Sequence, residues 1–144
     1  DASEKLGKPF NYDNKYMVQT IKQWSDGAMG SRGAFLLEEY SDYPGYKGEP
    51  RLTADKIAET ATAGLRLGFN MAIHAIGDAA NRMVIDGYET ALKNTGMDPF
   101  EVRFRVEHTQ TLSPEDIPRL APLGLIASMQ PLHATEDQWF SPSR

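Results

Sequence analysis

Short apolar runs alternate with longer amphipathic stretches along most of this chain of 144 residues. The apolar runs have the length and the β-branched and aromatic content of strands. They cover residues 17–24, 69–74, 102–108 and 125–129. The stretches between them carry apolar residues three and four positions apart, which is typical of helices that cover a core. The predicted helices cover residues 54–67, residues 79–94 and a shorter segment from Ser113 to Gly124.

Start and stop signals flank the predicted helices. Thr53 can cap the first helix, and Gly68 follows its last turn. Asp78 can cap the second helix, and Gly96 lies beyond its end. Ser113 precedes a proline and two acidic residues, a combination that is typical of a helix N-terminus.

The order of these elements is strand, loop, helix, strand, helix, strand, helix, strand. Such alternation predicts an α/β fold with parallel strands joined by right-handed crossovers. An open doubly wound sheet and part of a (β/α) barrel both fit the pattern. No Gly-x-Gly-x-x-Gly turn or P-loop follows a strand. The barrel is favoured because it places Lys22, His74 and His108 together on the catalytic face.

Two further segments carry no regular pattern. Residues 1–15 are polar and are predicted to be a loop or the end of a preceding helix. Residues 25–51 are rich in glycine and tyrosine and contain turn signals such as Asp26-Gly27. Because a loop of this length is uncommon inside a compact domain, we expect it to be a lid or a binding loop.

The composition narrows the classes of function. The net charge of −5 argues against a broad nucleic-acid surface, and no apolar run approaches the roughly 20 residues that span a bilayer. There are no cysteines, so disulfides and thiolate ligands are excluded while the compartment is left open. Since the sequence starts at Asp1 rather than at methionine, we expect the natural protein to extend further.

Two histidines lie at the carboxyl ends of predicted strands. His74 ends the run that starts at Phe69, and His108 ends the run that starts at Val102. Neutral imidazole is a common zinc ligand, and parallel strands collect their chemistry at this edge. The pair therefore predicts a metal site, the alternative being buried histidines bonded to backbone. Glu107 is predicted to point away from His108 and to pair with an arginine.

Lys22 occurs near the end of another predicted strand, shortly before Asp26. Lysine is most often a surface residue, and that interpretation stays open. A deprotonated lysine can instead take up carbon dioxide and form a carbamate, whose two oxygens can bridge two metal ions. Burial and nearby cations favour the neutral amine that this reaction needs.

Four motifs give the chain a resemblance to a known family. They are IKQWSDGAMGSR from Ile21, IHAIGDAAN from Ile73, RVEHTQ from Arg105 and ASMQPLHATED from Ala127. In order and spacing they resemble the amidohydrolase superfamily, in particular the amidohydrolase family 3 branch that includes N-substituted formamide deformylase-like proteins.

The resemblance implies a fragment of a metal-dependent TIM barrel that contributes about strands 4 to 7. Lys22 would then be the carbamate ligand, and His74 and His108 would be ligands of a divalent metal, with zinc favoured and one or two ions expected. The His-x-His pair of the first strand and the acid/base aspartate of the eighth have no counterpart here. Residues 1–144 would therefore form the middle part of a barrel, which needs roughly 250 residues.

Three further residues are predicted to contact substrate. His133 and Gln130 belong to a segment that lines the pocket in the family, and Arg32 belongs to the long loop. The alternative for His133 is a freely titrating loop histidine. The tyrosines of the long loop can either shape the pocket or simply cover the barrel rim.

The leading hypothesis is a metal-dependent hydrolase that uses metal-activated water on carbon–nitrogen bonds of non-peptide amides or formamides. One alternative is an inactive, metal-free barrel remnant or binding module. Another is a phosphoester hydrolase on the same scaffold. The expected partner is a small-molecule substrate, without nucleic acid or membrane. Because four barrel strands leave two edges unpaired, we expect the isolated chain to aggregate, to pair with another copy or to be part of a longer protein. We also expect this chain alone to be inactive, because one ligand pair and the acid are missing from it.

Overall fold

The computed structural model describes residues 7–144, and a four-stranded parallel sheet forms its centre. The strands are β1 (Phe10–Tyr12), β2 (Tyr16–Val18), β3 (Thr20–Trp24), β4 (Asn70–Ala75), β5 (Arg105–His108) and β6 (Ile126–Met129). The α-helices are α1 (Ala54–Arg66), α2 (Asp78–Thr95), α3 (Pro99–Val102), α4 (Ile117–Leu120) and α5 (Leu132–Glu136). Two 3₁₀ turns, Asp137–Trp139 and Ser141–Ser143, follow α5.

The sheet has the order β3-β4-β5-β6, and all three neighbouring pairs are parallel. Strands that follow one another in sequence are thus neighbours in space. This arrangement confirms the predicted α/β class with parallel strands. Trp24 pairs with His74, His74 with Glu107, and Glu107 with Ser128.

The segment before the parallel sheet differs from the sequence prediction. Residues 10–18 form an antiparallel hairpin of β1 and β2, and residues 1–6 lie outside the described part of the chain. Asp13 and Asn14 both have positive φ, 52° and 53°, as a type I′ hairpin turn requires. The predicted strand 17–24 is consequently divided between β2 and β3.

Helices α1 and α2 pack on one face of the sheet. Ile73 and Val106 point to this side and are fully buried, and Tyr88 stacks on Phe104 with 4.3 Å between ring centroids. The two helices approach closely at Gly87, where an added Cβ would lie 2.5 Å from Cγ2 of Ile57. The hydrophobic core therefore lies between the sheet and these two helices.

The opposite face of the sheet carries polar side chains. Lys22, Trp24 and Arg105 are exposed there, and Arg105 donates from Nε to Glu107 Oε1 at 2.7 Å. This ion pair confirms that Glu107 pairs with an arginine. His74 and His108 lie at the carboxyl ends of β4 and β5, at the edge of this polar face.

The ends of α1 and α2 follow local sequence signals closely. The Thr53 hydroxyl accepts a hydrogen bond from Lys56 N at 3.2 Å, and Gly96 ends α2 with φ 66°. The cap of α2 is Gly77 rather than the predicted Asp78. Asp78 is instead the first helical residue, and its carboxylate accepts from the amides of Leu37 and Ala79.

The helix predicted from Ser113 begins later than expected, at Ile117, with Asp116 as its N-cap residue. Asp116 is buried and accepts from Arg82 at 2.8 Å and from Arg119 at 2.9 Å. The long-range pair with Arg82 fixes the start of α4 against α2, and local capping signals do not reveal it. The short helix α3 was also missed.

Residues 25–51 contain no helix and no strand beyond an isolated bridge between Tyr40 and Tyr43. The loop is nevertheless packed, since Met29, Ala34 and Tyr40 form a small buried cluster with Ile76. The Tyr40 hydroxyl donates to Ala34 O at 2.7 Å. The predicted loop is therefore confirmed, whereas its role as a lid or binding loop stays a prediction. No helix in the described residues combines the length and apolar content needed to cross a membrane.

Candidate metal centre

The imidazoles of His74 and His108 lie side by side at the carboxyl edge of the sheet. Their ring centroids are 4.6 Å apart, and the ring planes make an angle of 72°. His74 is the penultimate residue of β4 and His108 is the last residue of β5, on the neighbouring strand. The structure thus brings these two predicted ligands together.

The backbone at the end of β5 makes this contact possible. His108 has a φ of 72° and Thr109 a φ of 45°, both in the left-handed region that non-glycine residues rarely adopt. Regular pleating would place His108 on the opposite face from Glu107, as the sequence analysis expected. Because the strand turns at His108, its ring lies beside that of His74. Such backbone strain costs on the order of 1–3 kcal/mol per residue and is concentrated at functional sites.

Asp26 is the nearest charged partner of His74. Its Oδ1 lies 3.2 Å from His74 Nε2, and both groups are shielded from solvent. Within residues 7–144, Nε2 has no partner that meets hydrogen-bond geometry, so the contact is electrostatic rather than a well-aligned bond. A carboxylate at this distance favours the tautomer with the proton on Nε2, which leaves the Nδ1 lone pair available as a ligand.

Asp26 also joins three backbone segments. Its Oδ2 accepts from Phe35 N at 3.0 Å and Gly77 N at 2.8 Å, and its Oδ1 accepts from Ile76 N at 3.1 Å. Only 1 % of the residue is exposed. The sequence around Asp26 indicated only a turn, so this role was not predicted. The available signal was an aspartate two residues after the end of a predicted strand.

His108 is held from the other side by Gln130. Its Nδ1 contacts Gln130 Oε1, which leaves Nε2 as the second ring nitrogen. Burial lowers the pKa of His108, as do the neighbouring His74 and His133, while the Gln130 contact opposes the shift. A lowered pKa favours neutral imidazole, the form that binds metal.

His133 lies next to this pair, with its ring centroid 5.8 Å from that of His108. Its Nδ1 is 2.9 Å from Asp137 Oδ2, and its Nε2 is 3.1 Å from Gln130 Oε1. Both ring nitrogens therefore face acceptors. His108, Gln130 and His133 line a cavity of about 170 Å³. Its position is compatible with substrate contact, which stays a prediction.

Lys22 lies on the same face as His74 but two residues further from the carboxyl edge of the sheet. It pairs with Ala72, two residues before the end of β3, whereas Trp24 is level with His74. Its Nζ donates to Gln23 O at 3.0 Å and lies 4.5 Å from the Trp24 ring centroid. Burial lowers the pKa of Lys22, and the charge of Glu107 partly opposes this shift. A metal-ligand role for Lys22 stays a prediction.

Arg32 is engaged within the long loop. Its guanidinium donates twice to the Asp42 carboxylate, from Nε at 3.0 Å and from Nη2 at 2.6 Å. Arg144 binds the same carboxylate. The loop is thereby joined to the end of the chain. Substrate contact by Arg32, which would have to coexist with this ion pair, stays a prediction.

The donor set fits part of a metal site. Two imidazoles present Nδ1 of His74 and Nε2 of His108, while their remaining nitrogens face acceptors, as is usual for metal-bound histidines. Across residues 7–144, no group of three or more His, Cys, Asp or Glu residues is arranged to hold an ion. Further ligands would therefore come from Lys22 or from outside the described residues.

A comparison with protein families shows to which family this chain belongs. The model of the amidohydrolase family matches residues 1–143. This chain belongs to the amidohydrolase family. The resemblance drawn from the four motifs is confirmed at the level of this family.

Individual proteins of known sequence or structure are similar to this chain over most of its length. The chain is 38% identical over 117 residues to Protein LONG AFTER FAR-RED 3 of Arabidopsis thaliana. The aligned region covers 81% of this chain and 20% of that protein. It resembles crystal structures of uncharacterized metal-dependent hydrolases from Pyrococcus furiosus and Pyrococcus horikoshii OT3. The TM-scores are 0.83 and 0.81, and the identities are 29% and 27%.

The matches cover almost all of this chain but only part of each relative. Both Pyrococcus structures cover 99% of this chain, which corresponds to 29% and 28% of their own chains. The chain spans about a fifth of the length of the curated relatives it matches.

Proposed function

We propose that this chain supplies one half of a metal centre in a hydrolase that cleaves carbon–nitrogen bonds of non-peptide amides. The observation that carries the proposal is the His74–His108 pair, with 4.6 Å between ring centroids at the carboxyl edge of a parallel sheet. Its family membership and the metal-dependent hydrolases that share its fold support this assignment.

The proposed architecture is a segment of a (β/α)₈ barrel. The strands β3 to β6 follow one another in order, without the reversal that a doubly wound sheet has at its switch point. Helices α1 and α2 pack on one face. The opposite face carries Lys22, Arg105 and Glu107, as the inner face of a barrel would. We assign β3 to β6 to strands 4 to 7 of such a barrel.

The proposed ligands are Nδ1 of His74, Nε2 of His108 and a carbamate on Lys22. Nitrogen and oxygen ligands of this kind suit zinc, and a bridging carbamate allows for one or two ions. Burial lowers the pKa of Lys22, which favours the neutral amine that carbamate formation needs. Glu107 is held ionised nearby, because the hydrogen bonds from Arg105 and Ser128 outweigh the effect of burial and lower its pKa.

When bound, the metal would supply an activated water for attack on the carbonyl carbon. The residues of this chain would hold that site in place: Asp26 orients His74, and Gln130 contacts His108. N-substituted formamides are the finer substrate class that we propose, following the resemblance of the motifs. The cavity beside His133 would receive part of the substrate.

The test replaces each ligand in the protein at its natural length. We expect His74→Ala and His108→Ala each to lose bound metal, measured by elemental analysis, and to lose formamide and amide hydrolysis with it. Lys22→Ala should also lose metal, whereas Lys15→Ala, at an exposed lysine in the hairpin turn, should retain it. Circular dichroism of each variant establishes that it is folded.

The outcomes separate the alternatives. Full metal content in both histidine variants would refute the assignment of the centre. A folded wild-type protein without metal and without turnover would indicate the inactive remnant or binding module instead. Turnover of phosphotriesters, with amides and formamides left intact, would favour the phosphoester hydrolase.

A further inference from the structure

We propose that Gln130 is a positioning residue that fixes the tautomer of His108, rather than a contact for substrate. The inference rests on the proposed function, since it matters only if His108 is a metal ligand. It follows from one geometric observation: two imidazole nitrogens, His108 Nδ1 and His133 Nε2, converge on the single oxygen Oε1 of Gln130.

An amide oxygen carries no proton, so His108 Nδ1, the nearer of the two nitrogens, must donate to it. His108 must then carry its proton on Nδ1. In the neutral ring the lone pair is consequently on Nε2, the nitrogen that Gln130 leaves free. Asp26 has the corresponding effect on His74, where it favours the proton on Nε2. The two histidines therefore present different ring nitrogens to one centre.

Gln130 is exposed, and its place in the chain and its side-chain contacts bring it next to His108. It follows Met129, the last residue of β6, and Met129 pairs with His108 on β5. His133 reaches back to Gln130 from the first turn of α5, and Asp137 contacts the far nitrogen of His133. A series of side-chain contacts thus runs from Asp137 through His133 and Gln130 to His108.

Asp137 is held in turn by Gln110, whose Nε2 donates to Asp137 Oδ2 at 2.7 Å. Gln110 lies two residues after His108, in the loop that follows β5. The series therefore begins and ends next to the same strand end, and it connects the loops after β5 and β6. Such a closed arrangement restricts the rotation of the Gln130 side chain.

The competing arrangement has the Gln130 amide turned over. Its nitrogen would then donate to the imidazoles, and His108 would carry its proton on Nε2. In that state the nitrogen proposed to bind metal would be blocked. The two arrangements differ by one amide rotation and predict opposite tautomers, so the tautomer of His108 decides between them.

The experiment measures that tautomer directly, by long-range ¹H–¹⁵N correlation spectra of the metal-free protein at its natural length. We expect the Nδ1–H form of His108 in the wild type. Gln130→Leu removes the acceptor and should yield a mixture of tautomers. Gln130→Glu keeps an acceptor oxygen and should preserve the Nδ1–H form. Gln138→Leu is the matched control, because Gln138 is exposed and donates to Thr135 O, away from the histidines.

A second readout is zinc affinity, measured by competition with a chromophoric chelator. Loss of a residue that orients a metal-bound histidine typically weakens binding by about 10–100-fold, and we expect this loss for Gln130→Leu. Gln130→Glu and Gln138→Leu should bind zinc as the wild type does. Leucine fills a similar volume without an acceptor oxygen, so a role of Gln130 in packing alone would leave the zinc affinity of Gln130→Leu unchanged.

Two results would overturn the inference: the Nε2–H form of His108 in the wild type, or unchanged tautomer and zinc affinity in Gln130→Leu. The tautomer is read without metal, so this outcome is independent of the proposed function. If the wild type shows the Nδ1–H form but His108→Ala keeps its metal, the metal assignment fails and Gln130 still positions the ring.

Discussion

Asp26→Asn is the substitution for which the structure predicts the largest effect on the loops around the candidate centre. The Asp26 carboxylate accepts three backbone amides, from Phe35, Ile76 and Gly77, and is almost completely buried. Asparagine has nearly the same shape but only one acceptor oxygen. The substitution therefore tests the hydrogen bonds and the charge with little change in packing.

The magnitude follows from the two carboxylate oxygens. If the asparagine oxygen occupies the Oδ2 position, it keeps the bonds from Phe35 and Gly77, and the NH₂ group then faces Ile76 N. One buried donor is left unsatisfied, which costs about 1–3 kcal/mol. The two remaining bonds lose their charge assistance, which makes each roughly half as strong. The expected destabilisation is about 3–5 kcal/mol, a large part of the roughly 5–15 kcal/mol that holds a domain folded.

The assay combines urea denaturation with hydrogen exchange. We expect the denaturation midpoint to fall and the amides of residues 35, 76 and 77 to lose protection. Asp13→Asn makes the same chemical change at an exposed position in the β1–β2 turn and should leave both measurements unchanged. If Asp26→Asn retained the wild-type midpoint and protection at all three amides, the carboxylate would not be what holds these loops together.

Two further substitutions test the packing. Burial, together with the charge of Asp26, raises the pKa of Tyr40 to about 12. The folded state therefore keeps the hydroxyl proton to a higher pH than the unfolded state does. The resulting contribution to the free energy of unfolding is about 2–3 kcal/mol; it is fully present below pH 10 and is lost between pH 10 and 12. Urea titrations of Tyr40→Phe should lack this alkaline loss, and an identical loss would refute it. Gly87→Ala should lower the melting temperature, because the added Cβ would lie 2.5 Å from Ile57 Cγ2. Alanine has the better helix propensity, so a higher melting temperature would refute the close approach of the two helices.

Elements with strong local signals could be predicted from the sequence almost to the residue. The helix expected at residues 54–67 is α1, Ala54–Arg66, and its cap is the expected Thr53. Apolar periodicity and capping depend on neighbouring residues, so they can be read without knowledge of the fold. The same reasoning located β4 and β6 within about one residue at their carboxyl ends.

Elements that depend on distant partners could not be predicted in this way. Helix α4 begins at Ile117 because Asp116 is engaged by Arg82 and Arg119, and Arg82 lies on α2, more than thirty positions earlier in the chain. The β1–β2 hairpin was missed for another reason. Its strands have three residues each and are exposed, so they are too short to establish a period, and only the Asp13-Asn14 turn indicated them.

The candidate centre shows the same division between local and long-range information. The strand ends predicted that His74 and His108 would lie at one edge, and the structure places them there. Strict alternation, however, put His108 and Glu107 on opposite faces. Only the left-handed backbone at His108 and Thr109 turns the ring toward His74. No residue type at these positions signals that turn, because glycine is absent.

The restraints on the two histidines come from the strands on either side of them. His74 and His108 lie on the central strands β4 and β5, whereas Asp26 follows β3 and Gln130 follows β6. Each imidazole is thus oriented by a side chain that enters from an outer strand. Parallel pairing sets all four strand ends at one level, so the register of the sheet also aligns ligand and partner. A slip of either outer strand would leave both histidines in place but would separate one of them from the group that selects its ring nitrogen. The geometry of the candidate centre is therefore a property of the four-stranded sheet rather than of the two ligand-bearing strands alone.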